Sequence, residues 1–327
     1  MSRWFKFGLA ASVALSVTMA ALPSQARELK LGHTYETTHP MHIAAEHAAE
    51  QFAACTNGEH SITIYPVSQL GTENAMNEQV RFGGIDVILT GQVFASQAYP
   101  PLAIGAAPFL FNDQDHALRY MTSDVFKELW EGWNQASGAK IMSAGFFGAF
   151  NITSNTPIET PEDMKGLKVR VPDTPIYLAF PKAVGANPTP IPLHEVYLAL
   201  QQGVVNGSAN PLHMTYATKF YEVQDYANLT GHMMEYILWV AASSTLDSLS
   251  PEHQACLQQS AEAFGIESTE AIVSQEQSLR AEMTEKNLIN FVNPDIDAFR
   301  AATQGAVEEL SNTLGVDADT IARIRAL

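Results

Sequence analysis

Residues 160–172 read TPEDMKGLKVRVP, and they carry a helix start, a turn and a strand in succession. Thr160 is placed as a cap and Pro161 at the first helical position. Glu162 and Asp163 fall in the first turn, where acids suit the partial positive charge of a helix start. Gly166 ends that turn. From Leu167 to Val171 strand parity puts Leu167, Val169 and Val171 on one face, the core face, and Lys168 and Arg170 on the other. Pro172 cannot donate to a ladder, so Arg170 lies at the carboxyl end of its strand. A guanidinium there suits a two-pronged grip on a carboxylate, and equally an ion pair with a surface acid. Spacing leaves both readings open.

Working outward, the same alternation occurs twice. On the amino side, Glu28–His33 and Ser61–Pro66 read as strands, Met41–Cys55 and Glu73–Arg81 as helices, and Ile85–Leu89 as a β-branched run. One long helix is expected over Asp113–Ser137, and a strand from Lys140. On the carboxyl side, Thr174–Val184 and Leu193–Gln202 read as helices. Val204–Asn210, Ala227–Thr230 and Ile237–Ser243 read as strands. A long helical pattern runs from Pro251 to about Ile289, and terminal helices fill Asp295–Leu327. The expectation is α/β, with two α/β lobes and largely parallel strands. Ligands of open α/β sheets sit beyond the strand carboxyl ends, so the cleft between lobes is the expected site.

The chain has 327 residues, 18 Lys plus Arg against 35 Asp plus Glu, and a net charge of −17. Such a chain offers no basic surface for nucleic acid. Residues 1–26 have the form of an export signal. Arg3 and Lys6 lead, Gly8–Leu22 carries no charge, and Ser24-Gln25-Ala26 provides small residues for cleavage near Ala26. That stretch is shorter than the roughly 20 residues that span a bilayer, and no later segment is apolar enough. A soluble, exported protein, not itself embedded in a membrane, is expected. Cys55 and Cys256 are the two cysteines. They pair or stay as buried thiols, and the sequence leaves both open.

Other candidate residues are fewer. Asn210-Pro211 ends a strand in the second half, where Asn210 is placed to donate and accept towards a small ligand. His213 follows it closely. Phe147 and Phe150, in Phe146-Phe147-Gly148-Ala149-Phe150, join the halves and suit the wall of a cleft or plain inter-domain packing. His39-Pro40-Met41-His42 reads as a helix start with exposed histidines and not as a metal site. There is no Gly-x-Ser-x-Gly, His-Glu-x-x-His, phosphate loop or Gly-x-Gly-x-x-Gly, so no catalytic residue, metal or cofactor is assigned.

Taken in order, these blocks resemble the periplasmic solute receptors of tripartite ATP-independent periplasmic (TRAP) transporters, the DctP type. The resemblance rests on Tyr65-Pro66-Val67-Ser68-Gln69-Leu70-Gly71, Gly83-Gly84-Ile85-Asp86 and Ala107-Pro108-Phe109-Leu110-Phe111. It continues through 167–172, 195–201, Gly203-Val204-Val205-Asn206-Gly207, Asn210-Pro211 and Lys219-Phe220-Tyr221-Glu222-Val223. It implies a two-lobed periplasmic binding protein with hinge strands and a long domain-spanning helix. The expected division is 27–148 with about 236–275 in lobe I, and 149–235 with about 276–327 in lobe II. It also implies capture of a small organic acid for membrane permease subunits, Arg170 taking the carboxylate and Asn210 beside it.

One departure bears on the ligand. Many relatives carry a second Arg where this chain has Phe150, and Asn206 and Ala209 stand where acids are usual. An unpaired buried ligand charge is costly. The expected ligand is therefore a monocarboxylate, a sugar acid first, an aromatic acid second and a C4-dicarboxylate third. A secreted enzyme acting on a small acid and a ligand-sensing receptor are the rival classes.

Overall fold

A computed structural model describes Met1 and residues 26–327. The expected export signal falls largely on residues 2–25, which lie outside the described residues. Among the described residues nine strands form one sheet: β1 (Arg27–Gly32), β2 (His60–Tyr65), β3 (Val87–Gly91), β4 (Ala139–Ser154), β5 (Lys168–Val171), β6 (Asn187–Pro190), β7 (Gly207–Pro211), β8 (Tyr226–Ala242) and β9 (Asn290–Val292). Their order is β2-β1-β3-β8-β4-β7-β5-β6, with β9 on β8. Within each end of the sheet the pairs are parallel, β2 and β3 on β1, β6 and β7 on β5. The middle is antiparallel, since β8 returns alongside both β3 and β4, and β4 runs against β7. The sheet is therefore mixed rather than largely parallel, because two long strands cross from one lobe to the other.

Those two strands explain the two-lobed form. The first half of β4 pairs the last half of β8, from Ala139 opposite Ala242 to Phe146 opposite Tyr236. Past that point β4 pairs β7 as well, and β8 pairs β9. The register slips between Phe146 and Gly148 and again between Phe150 and Ile152. Gly148 has φ 104°, a conformation that side-chain-bearing residues rarely adopt. An extra residue in one strand bends it and re-aims its neighbours. Here the bend lies where the chain passes between lobes, and it turns Phe147 and Phe150.

The helix Pro251–Glu285 spans 35 residues and starts at a Ser250 cap. Gly265 lets it lie against β4, since a Cβ there would meet the Ala144 carbonyl oxygen at 2.7 Å. Two of its side chains serve the bulged strand: Gln258 donates to the Met142 carbonyl and the Thr269 hydroxyl accepts from the Phe146 N–H, both at 2.9 Å. Cys55 and Cys256 are joined as a disulfide, closing the option of free thiols and tying the helix Pro40–Cys55 to the long one.

Several boundaries differ from the sequence reading. Residues 113–137 form two helices, Gln114–Thr122 and Asp124–Ser137, because Ser123 is extended and its hydroxyl accepts from Phe126 N–H as a cap. Asn187–Pro190 is an unexpected strand; its prolines remove ladder donors, which an edge position tolerates. The two short strands expected at 227–230 and 237–243 are one, β8. The terminal helices do not all stay with the second lobe. Arg323 pairs Glu128, and His116 and Arg119 donate to the Ile324 and Leu327 carbonyls. The last turns thus lie on the first lobe. No described helix is long and apolar enough to cross a membrane.

Candidate functional site

The β5 parity holds: Val169 and Val171 are buried in the core, and Arg170, next to last in its strand, faces a cleft. Arg170 is 2% exposed, so it is no surface residue. Its Nε donates to the Ile191 carbonyl at 2.9 Å and one terminal nitrogen donates to Asn210 Oδ1 at 3.2 Å. Asn210 is held in turn, its amide donating to Ser208 Oγ at 2.6 Å. Among the described residues, no carboxylate lies within ion-pair distance of Arg170. Burial pushes its pKa down to about 10, opposed by Tyr177, Glu73 and Asp173, so the group stays charged at neutral pH.

The cleft holds about 660 Å³ of empty space, part of it open to solvent. Arg170, Asn210, Phe147 and Phe150 all line it. Phe150 stacks on Tyr177 at 5.8 Å, and Phe147 leans on Tyr35 at 5.6 Å. His213 does not line it. It sits behind the wall, its Nε2–H donating to the Phe147 carbonyl at 2.6 Å. His39 and His42, expected to be exposed, are buried. The Met41 N–H donates to His39 Nδ1, so His39 carries its proton on Nε2 and donates to His213 Nδ1 at 2.9 Å. Burial lowers both imidazoles, His213 to about 4, and both are neutral.

Sequence reasoning missed the acids of this cleft. Glu73 opens the helix Glu73–Arg81, an ordinary place for a carboxylate. Its Oε1 accepts from Gly91 N–H at 2.7 Å and Thr90 Oγ at 2.9 Å. Glu235 lies on β8, 2% exposed, with Oε1 accepting from the Tyr177 hydroxyl at 2.6 Å. Burial raises Glu73 to about 7 and Glu235 to about 8. A signal for Glu235 was present: a lone charge in the otherwise apolar run Met233–Val240. Contacts across the cleft show that the lobes are closed on one another. Asn74 donates to the Asp173 carbonyl at 3.0 Å and is itself held by Gln97 at 2.6 Å.

Glu59, His60 and His253 bring three metal-type donor atoms within 4.8 Å of one another. Arg27 N–H donates to His60 Nδ1, which leaves the His60 proton on Nε2, directed at His253 Nδ1 at 3.0 Å. A metal-bound imidazole needs a free lone pair on one nitrogen and donates from the other, the reverse of this pattern. His60 and His253 are a hydrogen-bonded pair, with Glu59 3.9 Å from His253 Nε2.

The bacterial extracellular solute-binding protein family 7, DctP, matches residues 31–313. A solute-binding protein of Roseobacter denitrificans is 31% identical over 303 residues, covering 92% of each chain. The 2,3-diketo-L-gulonate-binding periplasmic protein YiaO of Escherichia coli is 31% identical over 87% of each. A TRAP periplasmic solute-binding protein of Polaromonas, solved bound to D-erythronate, superposes with TM-score 0.87 at 27% identity, over 92% of this chain and 98% of that one. Proteins of this kind are transport receptors and not enzymes. By its family match, its relatives and its fold, the chain belongs to the family 7 bacterial extracellular solute-binding proteins, the DctP-type receptors of TRAP transporters.

Proposed function

We propose that this receptor captures a small organic acid with one carboxylate, closes around it, and delivers it to the membrane permease subunits of a TRAP transporter. The observation that carries this reading is Arg170: a buried guanidinium, aimed into a cleft, with no fixed acid on it. A carboxylate meeting it and Asn210 makes charge-assisted hydrogen bonds worth about 1.5–3 kcal/mol each. A sugar acid is the first ligand class, supported by the D-erythronate of the Polaromonas structure. An aromatic acid is the second, supported by the rings of Tyr35, Phe147, Phe150 and Tyr177 along the cleft. A C4-dicarboxylate fits least, since Phe150 stands where a second cation would be needed. The lobes are divided at the bulged crossing near Phe147 and Glu235, and export to the periplasm proceeds by cleavage near Ala26.

The test is a thermal-shift and calorimetric screen of the mature protein against sugar acids, aromatic acids and dicarboxylates, repeated with Arg170→Ala. Stabilisation by one class, lost in the variant, supports the assignment, because a ligand of the folded state alone raises its stability. Equal affinity in Arg170→Ala refutes it. Amino-terminal sequencing of the exported protein checks the cleavage site.

A further inference from the structure

The cleft carries more acidic groups than a ligand that is only an anion would use. Among the described lining residues Arg170 is the one Lys or Arg, with His194 also present, against the side chains of Glu73, Asp173 and Glu235. Arg170 and Asn210 come from the second lobe, Glu73 from the first, and Glu235 from the crossing strand β8. Among the described residues, neither Glu73 nor Glu235 makes an ion pair. The protein's donors reach only Oε1 of each: Gly91 N–H and Thr90 Oγ on Glu73, the Tyr177 hydroxyl and Val93 N–H on Glu235. The second oxygen of each carboxyl is left for whatever enters.

We propose that Glu73 and Glu235 form a cation subsite, so that the ligand is a zwitterion whose carboxylate meets Arg170 and whose protonated amine meets the two acids. This rests on Arg170 being the carboxylate anchor, and it names the chemistry of the rest of the ligand. An ammonium supplies donors for both free oxygens and a countercharge that favours the ionised form of both buried acids. A hydroxyl supplies a donor but no charge. The rings of Tyr35, Phe94, Phe147, Phe150 and Tyr177 wall the same space, and their faces attract a cation as well as apolar atoms. Phe150, on the same wall, adds no cation that would compete with the amine.

The raised acids agree. Burial holds Glu73 at about 7 and Glu235 at about 8, each acid also sensing a neighbouring charge. An ammonium between them draws both back towards the ionised form, so binding near neutral pH releases protons. A plain anion does the opposite and takes protons up.

The experiment uses acid pairs that share a carbon skeleton and differ by one hydroxyl replaced by an amine: lactate and alanine, 4-hydroxybutyrate and 4-aminobutyrate, phenyllactate and phenylalanine, D-gluconate and 2-amino-2-deoxy-D-gluconate. Each is titrated calorimetrically into the mature protein, in two buffers of different ionisation enthalpy. Expected is at least tenfold tighter binding of the amino member in the pair that fits, with proton release. Glu235→Gln and Glu73→Gln, which keep the side-chain shape, should each remove most of that preference. Arg170→Ala should abolish binding of both members. A hydroxyl member that binds as well as its partner, proton uptake by the amino member, or a preference unchanged in both Gln variants overturns the inference and leaves the organic-acid reading standing. If no amino acid binds but hydroxy acids do, the inference again falls alone. If no acid of either kind binds, the proposed function falls with it.

Discussion

His39 Nε2 and His213 Nδ1 meet 2.9 Å apart, one from the helix start that follows β1 and the other from the helix that follows β7, so a single hydrogen bond joins the two lobes behind the wall of the cleft. Both rings are neutral by necessity, each nitrogen already committed as donor or acceptor. Burial lowers His213 to about 4 and His39 well below its usual value. The unfolded chain, with histidines near 6.5, therefore binds more protons than the folded one between about pH 4 and 6.5. The stability these rings contribute is complete above that range and is lost as the pH falls through it. Glu73 and Glu235, with raised values, work in the opposite direction. The comparison that isolates the pair is wild type against His213→Asn: their difference in melting temperature should shrink between pH 7 and pH 5. A constant difference counts against the account.

Asn74 and Asp173 form a second link between lobes, at the mouth of the cleft. A single hydrogen bond of this type is worth about 1 kcal/mol, or about fivefold in an equilibrium. Asn74→Ala should weaken ligand affinity by about that factor, chiefly through faster release. Stopped-flow displacement measures it, and an unchanged release rate would argue that the link does not hold the closed form.

Phe150 lines the cleft beside Tyr177 and brings no charge to it. Phe150→Arg should lower the melting temperature of the empty protein, because the new guanidinium is buried beside Tyr177 without a fixed partner. It should also make succinate a detectable ligand in the thermal-shift screen. Absence of a succinate response would show that position 150 does not select against a second ligand charge.

The disulfide closes a loop of 201 residues, and its entropic restraint on the unfolded chain is about 5 kcal/mol. Neither cysteine lines the cleft. Reduction, or Cys55→Ala with Cys256→Ala, should lower the melting temperature by several degrees and leave calorimetric affinity within about twofold of wild type.

The sequence was most legible where local chemistry and tertiary demand coincide. Residues 165–172 carry their turn, their parity and their stop within eight positions, so Arg170 was placed at a strand end before its surroundings were known. Glu73–Arg81 and Leu193–Gln201 were readable for the same reason, each bounded by a glycine nearby. The two crossing strands were not, because β4 and β8 pass through Gly145, Gly148 and Gly231, which read as breaks. Only the partner strand and the long helix hold the chain extended there. The role of His213 was misplaced because a sequence gives proximity to Asn210 but not which side of a wall a ring occupies. Tyr177 and Glu235 are 58 residues apart, and nothing local to either announces their hydrogen bond.

The helix Pro251–Glu285 is fastened differently at its two ends. Its head belongs to the first lobe, through Cys256 to Cys55 and through Gly265 against Ala144. Its tail belongs to the second, where Glu282 accepts from the Tyr216 hydroxyl at 2.7 Å and Leu279 and Met283 pack with Leu212 and Ala227. From Gly265 to Met283 is about 27 Å of continuous rod. The span between anchors contains Ser278, whose hydroxyl donates to the Gln275 carbonyl at 3.0 Å, a back-bond of the kind that accompanies helix bending. The helix is thus a shared strut: any change in the angle between the lobes has to bend it or loosen one of its ends.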